Sequence, residues 1–190
     1  MKTRTVQLSD VASVFNGKTP SKADQRRLGH PVLKIKDVDD VGSFVGHFGS
    51  FVDRELAAAL PDKLVKEGDT LILNAAHNAE YVGSKSFFVQ GSVVGALATG
   101  EWLLVRPTPG VVDPAFIHFW SQHTTTRKRI SGLVKGIHLY PNDVADIPIE
   151  LPHYAEQQRI ARILEQADRL RRTRRYALDF SDTFLPATSY

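Results

Sequence analysis

The segment Leu151–Phe180, LPHYAEQQRIARILEQADRLRRTRRYALDF, decides how the rest of the chain is interpreted. Its second residue is proline, which a helix tolerates at its start because the missing N–H would be unpaired there. From Tyr154 onward no glycine or proline occurs before Pro186, and strong helix formers dominate. The segment therefore predicts a helix on the order of 40 Å long, which exceeds most globular helices.

The predicted helix is amphipathic. Apolar residues recur at three- and four-residue steps and form one stripe, which Leu164 and Leu178 widen. A stripe of this kind favours packing against a second long helix. We therefore expect a subunit or dimer interface made of Gln157, Ile160, Ile163, Leu164, Ala167, Leu170, Arg171, Arg174 and Leu178.

The same helix carries an excess of positive charge, with seven arginines against four acidic residues. Glu165–Arg169 and Asp168–Arg172 are spaced as i,i+4 pairs, worth about 0.3 kcal/mol each. Arg171 and Arg174 have no acidic residue four positions away, and Arg175, which precedes Asp179 at that spacing, is grouped with them as a candidate for outside contacts. Two interpretations stay open for them, contact with DNA phosphates and contact with acidic residues of a partner subunit.

Several motifs resemble the DNA-specificity subunits of type I restriction-modification enzymes. The C-terminal motif comprises Ile147-Pro148-Ile149, Leu151-Pro152, Glu156-Gln157-Gln158-Arg159-Ile160-Ala161 and Ile163-Leu164. The others are Leu8-Ser9-Asp10-Val11-Ala12, Asn16-Gly17-Lys18-Thr19-Pro20, and Lys135-Gly136-Ile137-His138-Leu139-Tyr140 ahead of Asp143-Val144. The resemblance covers essentially the whole chain and is strongest at the two ends, whereas residues 40–130 agree only in the general succession of apolar and polar segments.

The resemblance implies an α+β fold, with a β-rich target-recognition domain over residues 1–150 and a long spacer helix, a coiled-coil former, over residues 151–190. It also implies that the chain binds double-stranded DNA and has no catalytic activity or cofactor of its own. Catalysis would belong to a methyltransferase subunit that binds S-adenosylmethionine and to a restriction subunit that hydrolyses ATP with Mg²⁺. Because the family's spacer helices serve as the assembly surface, a subunit contact is favoured for Arg171, Arg174 and Arg175.

The length of the chain departs from the family pattern. Complete specificity subunits carry two recognition domains and two spacer helices, whereas this chain has one of each, so it is a half-subunit, a truncated product or a fragment. The apolar stripe predicts that two copies pair their helices antiparallel, giving a two-fold homodimer that prefers an inverted repeat. The alternative function is a non-catalytic coiled-coil adaptor with degenerate DNA binding.

Composition bounds these expectations. With 190 residues and 42% apolar content, the chain can form a sizeable core. The absence of cysteine excludes disulfides and thiolate zinc sites and fits a reducing cytosol. No apolar run reaches the roughly 18 residues that span a membrane, and the first ten residues lack the apolar region of a signal peptide. A cytoplasmic protein without a membrane partner is expected.

We expect the front domain to contact DNA through local basic patches and not through an overall positive charge. The net charge of +3 resides entirely in the predicted terminal helix, so the rest of the chain is neutral overall. Pro31–Val41 is predicted to be a strand with two lysines on one face. The residues predicted to contact DNA in these patches and their flanking loops are Lys18, Thr19, Ser21, Lys22, Arg26, Arg27, Lys34, Lys36, Lys135 and His138. Lys85 is predicted to contact DNA from the loop that follows Thr70–Leu73. Each patch could equally be an ordinary solvated loop or strand face.

The polar loop after the predicted buried strand Thr70–Leu73 is the candidate for base reading. It presents Asn74, His77 and Asn78. Asparagine can pair bidentately with adenine, and histidine can reach guanine acceptors in the major groove. Asparagine also favours turns, so an architectural role for this loop stays open.

The sequence contains no recognisable catalytic constellation. Asp113-Pro114-Ala115-Phe116 lacks the second proline of the amino-methyltransferase motif, and no glycine-rich loop precedes it. The run GKTPSK from Gly17 lacks the earlier glycine of a P-loop. The histidines form no HExxH motif or close ligand pair. The chain is therefore predicted not to be an enzyme.

Overall fold

The computed structural model describes residues 3–184, and within that range three β-sheets combine with five α-helices. The strands are β1 (Arg4–Gln7), β2 (Ala12–Asn16), β3 (His30–Leu33), β4 (Phe51–Val52), β5 (Thr70–Leu73), β6 (Ser86–Phe88), β7 (Leu97–Ala98), β8 (Trp102–Pro107) and β9 (Pro148–Leu151). The helices are α1 (Arg54–Ala58), α2 (Pro114–Gln122), α3 (Thr124–Gly132), α4 (Pro141–Ala145) and α5 (Tyr154–Phe184). The predicted α+β class with a long C-terminal helix is confirmed.

The largest sheet is antiparallel, with strand order β2-β8-β5-β6. Successive residues of a strand point to opposite faces, so β8 contributes to two apolar clusters. Leu103 and Val105 face the cluster shared with α2 and α3, whereas Trp102 and Leu104 face the cluster shared with the β4-β3-β7 sheet. Because both faces are covered, β5 and β8 have continuous apolar sequences and not an alternating pattern.

The predicted strand Pro31–Val41 is wrong beyond Leu33. β3 ends there, and Ile35–Asp37 forms a 3₁₀ turn. The buried carboxylate of Asp37 accepts a hydrogen bond from the Lys34 N–H at 2.8 Å, a local bond that replaces strand pairing. Lys34 and Lys36 therefore do not share one strand face, although Lys36 is exposed.

The two ends of the globular part meet in a small sheet. β1 pairs antiparallel with β9, which directly precedes the long helix, and the Leu8 N–H donates to the Ile147 carbonyl at 3.0 Å. The start of α5 is thereby fixed to the N-terminal strand. The division into domains 1–150 and 151–190 stays a prediction, and the last residues of the second range lie outside the described part.

Helix α5 contains 31 residues and is about 46 Å long at 1.5 Å per residue. It starts at Tyr154, two residues after Pro152, and Ala161 is its last buried side chain up to residue 181. From residue 162 to 181 only Asp168 and Arg172 are half-buried, and the other side chains are exposed. Among the helices of residues 3–184, none has the length and apolar character to cross a membrane.

Candidate nucleic-acid interface

One buried asparagine joins four segments at one edge of the largest sheet. β2 and β5 end at this edge, and β8 begins there. The Asn74 side-chain amide donates to Asn16 Oδ1 and to the Gly100 carbonyl, both at 3.1 Å. Its Oδ1 accepts from the Leu139 N–H at 3.2 Å. Asn74 therefore holds together the loop after β2, the turn before β8, the loop after β5 and the segment before α4.

These segments bring exposed polar side chains together although they are far apart in the sequence. The Lys18 N–H donates to the Ala98 carbonyl at 2.8 Å, and Ala75 forms a β-bridge with His138. We define the polar edge as the exposed residues that these segments carry: Lys18, Thr19, His77, Asn78, Lys135 and His138. Lysine, threonine, asparagine and histidine are residue types that contact phosphates and base edges.

Asn74 itself is not available to a base. Its side chain is 5% exposed, and its amide and carbonyl oxygen are engaged by Asn16, Gly100 and Leu139. The sequence placed it among the base-reading candidates, and the structure gives it an architectural role. His77 and Asn78 are exposed, and their contact with bases stays a prediction.

Lys85 is also occupied within the chain. Its Nζ donates to the Val38 carbonyl at 2.9 Å and lies 3.3 Å from the Asp40 carboxylate. Its side chain is only 14% exposed. A lysine in this position supports the loop that contains Asp40, so the predicted DNA contact of Lys85 is not supported by its surroundings.

The predicted patch between Ser21 and Arg27 is partly neutralised. Arg26 binds Asp53 through two hydrogen bonds of 3.1 and 2.6 Å, and the Ser21 hydroxyl donates to the Asp24 carboxylate at 2.6 Å. This pairing also explains why Asp53 precedes α1 without a side-chain cap. The exposed cations that stay candidates for phosphate contact in this patch are Lys22 and Arg27.

Lys135 keeps its place in the polar edge despite having a partner. Its Nζ lies 2.6 Å from the Asp143 carboxylate and 5.6 Å from the centre of the Tyr140 ring. Because the Lys135 side chain is 64% exposed, the ion pair is open to exchange with a phosphate. Lys34 also lies next to the polar edge. It directly follows β3, and the carbonyl of Leu33 at the end of this strand accepts a hydrogen bond from the Thr99 N–H.

Sequence reasoning missed Tyr81, which is 62% exposed on the loop after β5. Gly83 closes this loop against α3: its φ is +76°, and an added Cβ would lie 2.8 Å from the Ile130 side chain. Only glycine combines that conformation with so close an approach. Exposed aromatic rings can stack on nucleic-acid bases, so an aromatic residue within a polar loop was the available signal.

The predicted helix interface divides into two groups. Gln157 is buried in its own chain, where its Oε1 accepts from the Asp113 N–H and its amide donates to the Pro152 carbonyl, both at 2.9 Å. It cannot form a subunit interface, and Ile160 is half-buried against the core. The other predicted members are exposed: Ile163, Leu164, Ala167, Leu170, Arg171, Arg174 and Leu178. Arg171 is paired with Asp168 at 2.7 Å.

A cavity of about 460 Å³ lies between α5 and the globular part. His118 of α2 lines it together with Phe88, Phe119 and Asp168. The His118 Nε2 lies 2.9 Å from the Gln122 side-chain amide, whereas its Nδ1 is buried without a protein partner within the described residues. Burial lowers the pKa of His118 from 6.5 to about 4, against the weaker opposing attraction of Asp168.

This pKa predicts a pH-dependent stability. Because the folded-state pKa of His118 lies below that of the unfolded chain, the unfolded state binds more protons between pH 6.5 and about 4. The contribution of neutral His118 to the free energy of unfolding is complete above pH 6.5. It decreases by at most about 3 kcal/mol as the pH falls from 6.5 to about 4. Urea denaturation at several pH values measures it. His118→Gln should reduce the slope, and an equal slope in both proteins would contradict the assignment.

The chain resembles known proteins both in sequence and in fold. The family model described as Type I restriction modification DNA specificity domain matches residues 2–178. The chain belongs to this family, as its motifs indicated. The family is a non-catalytic recognition component of restriction-modification complexes, which confirms the prediction that the chain is not an enzyme. Within residues 3–184, no group of three or more histidine or acidic side chains is placed to hold a metal ion.

The type I restriction enzyme MjaX specificity subunit of Methanocaldococcus jannaschii is 21% identical over 168 residues, which are 86% of this chain and 39% of that protein. The HsdS subunit from Thermoanaerobacter tengcongensis shares the fold, with a TM-score of 0.64 and 18% identity over 92% of this chain and 39% of its own. A solved structure described by its work on complex assembly of the type I R-M system matches with a TM-score of 0.72 and 17% identity. The match covers 95% of this chain and 42% of that chain. The chain thus spans about two fifths of the length of these relatives.

Proposed function

We propose that this chain is a DNA-reading half of a type I specificity subunit. The polar edge contacts one half-site of double-stranded DNA, and α5 holds it at a distance from a second half. The observation that carries this proposal is the convergence of Lys18, His77, Asn78 and His138 around the buried Asn74. The family match does not favour the alternative of an adaptor with degenerate DNA binding.

The proposal includes partners and a cellular location. A methyltransferase subunit with S-adenosylmethionine and an ATP-dependent restriction subunit with Mg²⁺ would act on the site that this chain selects, in the cytoplasm. The chain itself would bind none of these cofactors. Membership in the specificity family supports this division of tasks. Arg174, exposed on α5, stays a candidate contact for the methyltransferase subunit.

The second half of the assembly is a second copy of the chain. The exposed apolar stripe on α5 includes Ile163, which is 50% exposed, and Leu170, which is 72% exposed. Water-exposed leucines at helical spacing favour pairing with another helix. Antiparallel pairing would place two polar edges on one DNA in inverted orientation.

Selection from a random double-stranded DNA pool, with and without the methyltransferase subunit, tests the function. We expect an inverted repeat separated by a spacer of defined length. Lys18→Glu should weaken binding and lower the slope of log affinity against log salt by about 1, because one phosphate contact is lost. Lys66→Glu is the matched control, since this exposed lysine precedes β5 and lies at the opposite edge of the sheet. Enrichment of no sequence would favour the adaptor.

A further inference from the structure

In the part of α5 up to residue 181, the buried and half-buried side chains fall in two separate places. The first is the root, where Gln157 bonds to the Asp113 N–H and the Pro152 carbonyl and where Ala161 is buried. This contact combines apolar packing with part-buried hydrogen bonds. The root therefore fixes where the helix starts, but its short extent leaves the direction of the helix to be set further along.

The second place is polar and depends on one guanidinium group. The Arg172 Nε donates to the Asp168 carboxylate at 2.6 Å, and another of its nitrogens donates to the Ser43 hydroxyl. The side chains of Arg172 and Asp168 are 30% and 22% exposed. We name this the Arg172 contact. At about 1.5 Å per residue it lies about 16 Å beyond Ala161 along the helix.

The turn that receives Arg172 is held firmly on the globular part. The Asp39 carboxylate accepts from the Val41 and Ser43 N–H groups at 3.0 and 2.7 Å. The Ser43 carbonyl accepts from the Asp39 N–H at 2.8 Å, and Lys85 donates to the neighbouring Val38 carbonyl. Ser43 is therefore a fixed point, so a bond to it restrains the helix relative to the sheet.

Apolar packing does not replace the Arg172 contact. Between it and the root lies the cavity of about 460 Å³, and beyond it lies a second cavity of about 290 Å³ between Val41 and Tyr176. From Ile163 onward the large residues of the apolar stripe of α5 are exposed to solvent. Loss of the Arg172 contact would therefore let the helix rotate about its root without breaking a packed interface.

We propose that Arg172 is a positioning residue that fixes the angle between the recognition domain and α5, and with it the spacer lengths that the assembly accepts. The proposal rests on the proposed function, because the spacer matters only if two half-sites are read together. A rotation of about 10° at the root moves the helix at Arg172 by about 3 Å, close to the rise of about 3.4 Å per base pair. The angle thus selects spacing at the scale of single base pairs.

The first test compares the spacer lengths selected by three proteins: the unaltered chain, Arg172→Gln and Arg162→Gln. Arg162 is the control because it is an exposed arginine of the same helix that bonds to its own Gln158 carbonyl. We expect Arg172→Gln to keep the half-site sequence but to accept at least about one further base pair of spacer in each direction. A merely destabilised protein would lose affinity at every spacing. An unchanged spacer distribution would overturn the proposal.

The second test needs no DNA and therefore separates failure of this proposal from failure of the proposed function. The chain has no cysteine, so Ala58→Cys and Thr173→Cys allow two spin labels on exposed positions of α1 and α5. Dilution with unlabelled chain restricts pulsed electron paramagnetic resonance to distances within one molecule. Arg172→Gln should widen the distance distribution about twofold, and Arg162→Gln should leave it unchanged. An unchanged width in Arg172→Gln overturns the proposal whatever the DNA selection shows.

Discussion

Leu170→Asp is expected to convert the proposed homodimer into a monomer and to weaken binding of a two-half-site DNA by about 10²- to 10⁴-fold. Leu170 is 72% exposed and lies in the stripe with Ile163 and Ala167, where a second helix would cover it. A carboxylate there would have to leave water on pairing within an apolar stripe, which opposes association. Binding to a single half-site should be unaffected, because the two DNA contacts become linked only in the dimer.

The same substitution should leave the fold of the single chain intact. An exposed side chain without tertiary contacts changes stability by about 0.5 kcal/mol or less. Sedimentation at micromolar concentration gives the oligomeric state, and gel shifts with one-site and two-site DNA give the affinities. Gln158→Asp is the matched control, because it introduces a carboxylate at an exposed position of α5 that no three- or four-residue step joins to the stripe. A Leu170→Asp protein that stays dimeric would contradict pairing through this stripe.

Asn74→Ala is expected to lower the free energy of unfolding by about 4 kcal/mol, because it removes three buried or half-buried hydrogen bonds. The Gly100 carbonyl and the Asn16 side chain each lose a partner, and the alanine methyl group cannot replace one. Separation of the segments should also disperse the polar edge. DNA binding should therefore fall together with stability, as measured by urea denaturation and by affinity well below the melting temperature.

Asn78→Ala is the control for the Asn74 prediction. Asn78 is exposed and accepts one hydrogen bond, from the Glu80 N–H at 3.1 Å. Its removal should cost about 1 kcal/mol of stability, the usual value for one hydrogen bond. Its effect on DNA should be altered base preference at one position of the half-site. If Asn74→Ala kept its stability but changed base preference, Asn74 would be a reading residue and its architectural role would be wrong.

Local chemistry in the sequence predicted the elements whose signals are contained in a few neighbouring residues. The apolar period and the lack of glycine and proline from Tyr154 onward predicted α5. The start of α2 is also local, because the Asp113 carboxylate accepts a hydrogen bond from the Phe116 N–H and Pro114 is the first helical residue. The apolar run Thr70–Leu73 predicted β5. Helix propensity, capping and periodicity act over one or two turns, so one segment is enough to identify them.

The motif resemblance also predicted the family and most residues of the polar edge. The sequence alone did not separate exposed polar residues from those that are hydrogen-bonded within the chain. The sequence is the same whether a lysine, asparagine or glutamine side chain is exposed to solvent or hydrogen-bonded within the chain. The tertiary structure decided that Lys85 supports a loop, that Gln157 anchors α5 and that Asn74 organises the site. It also decided that the apolar stripe faces solvent while a single arginine braces the helix.

The physical reason is sequence distance. The carbonyl of Gly100 and the N–H of Leu139 lie 26 and 65 positions from Asn74, and Ser43 lies 129 positions from Arg172. A buried amide or guanidinium must find hydrogen-bonding partners wherever the folded chain places them. The sequence by itself therefore determined the helix, the strands with strong local signals and the family. Only the tertiary structure decided which polar side chains face DNA and which hold the molecule together.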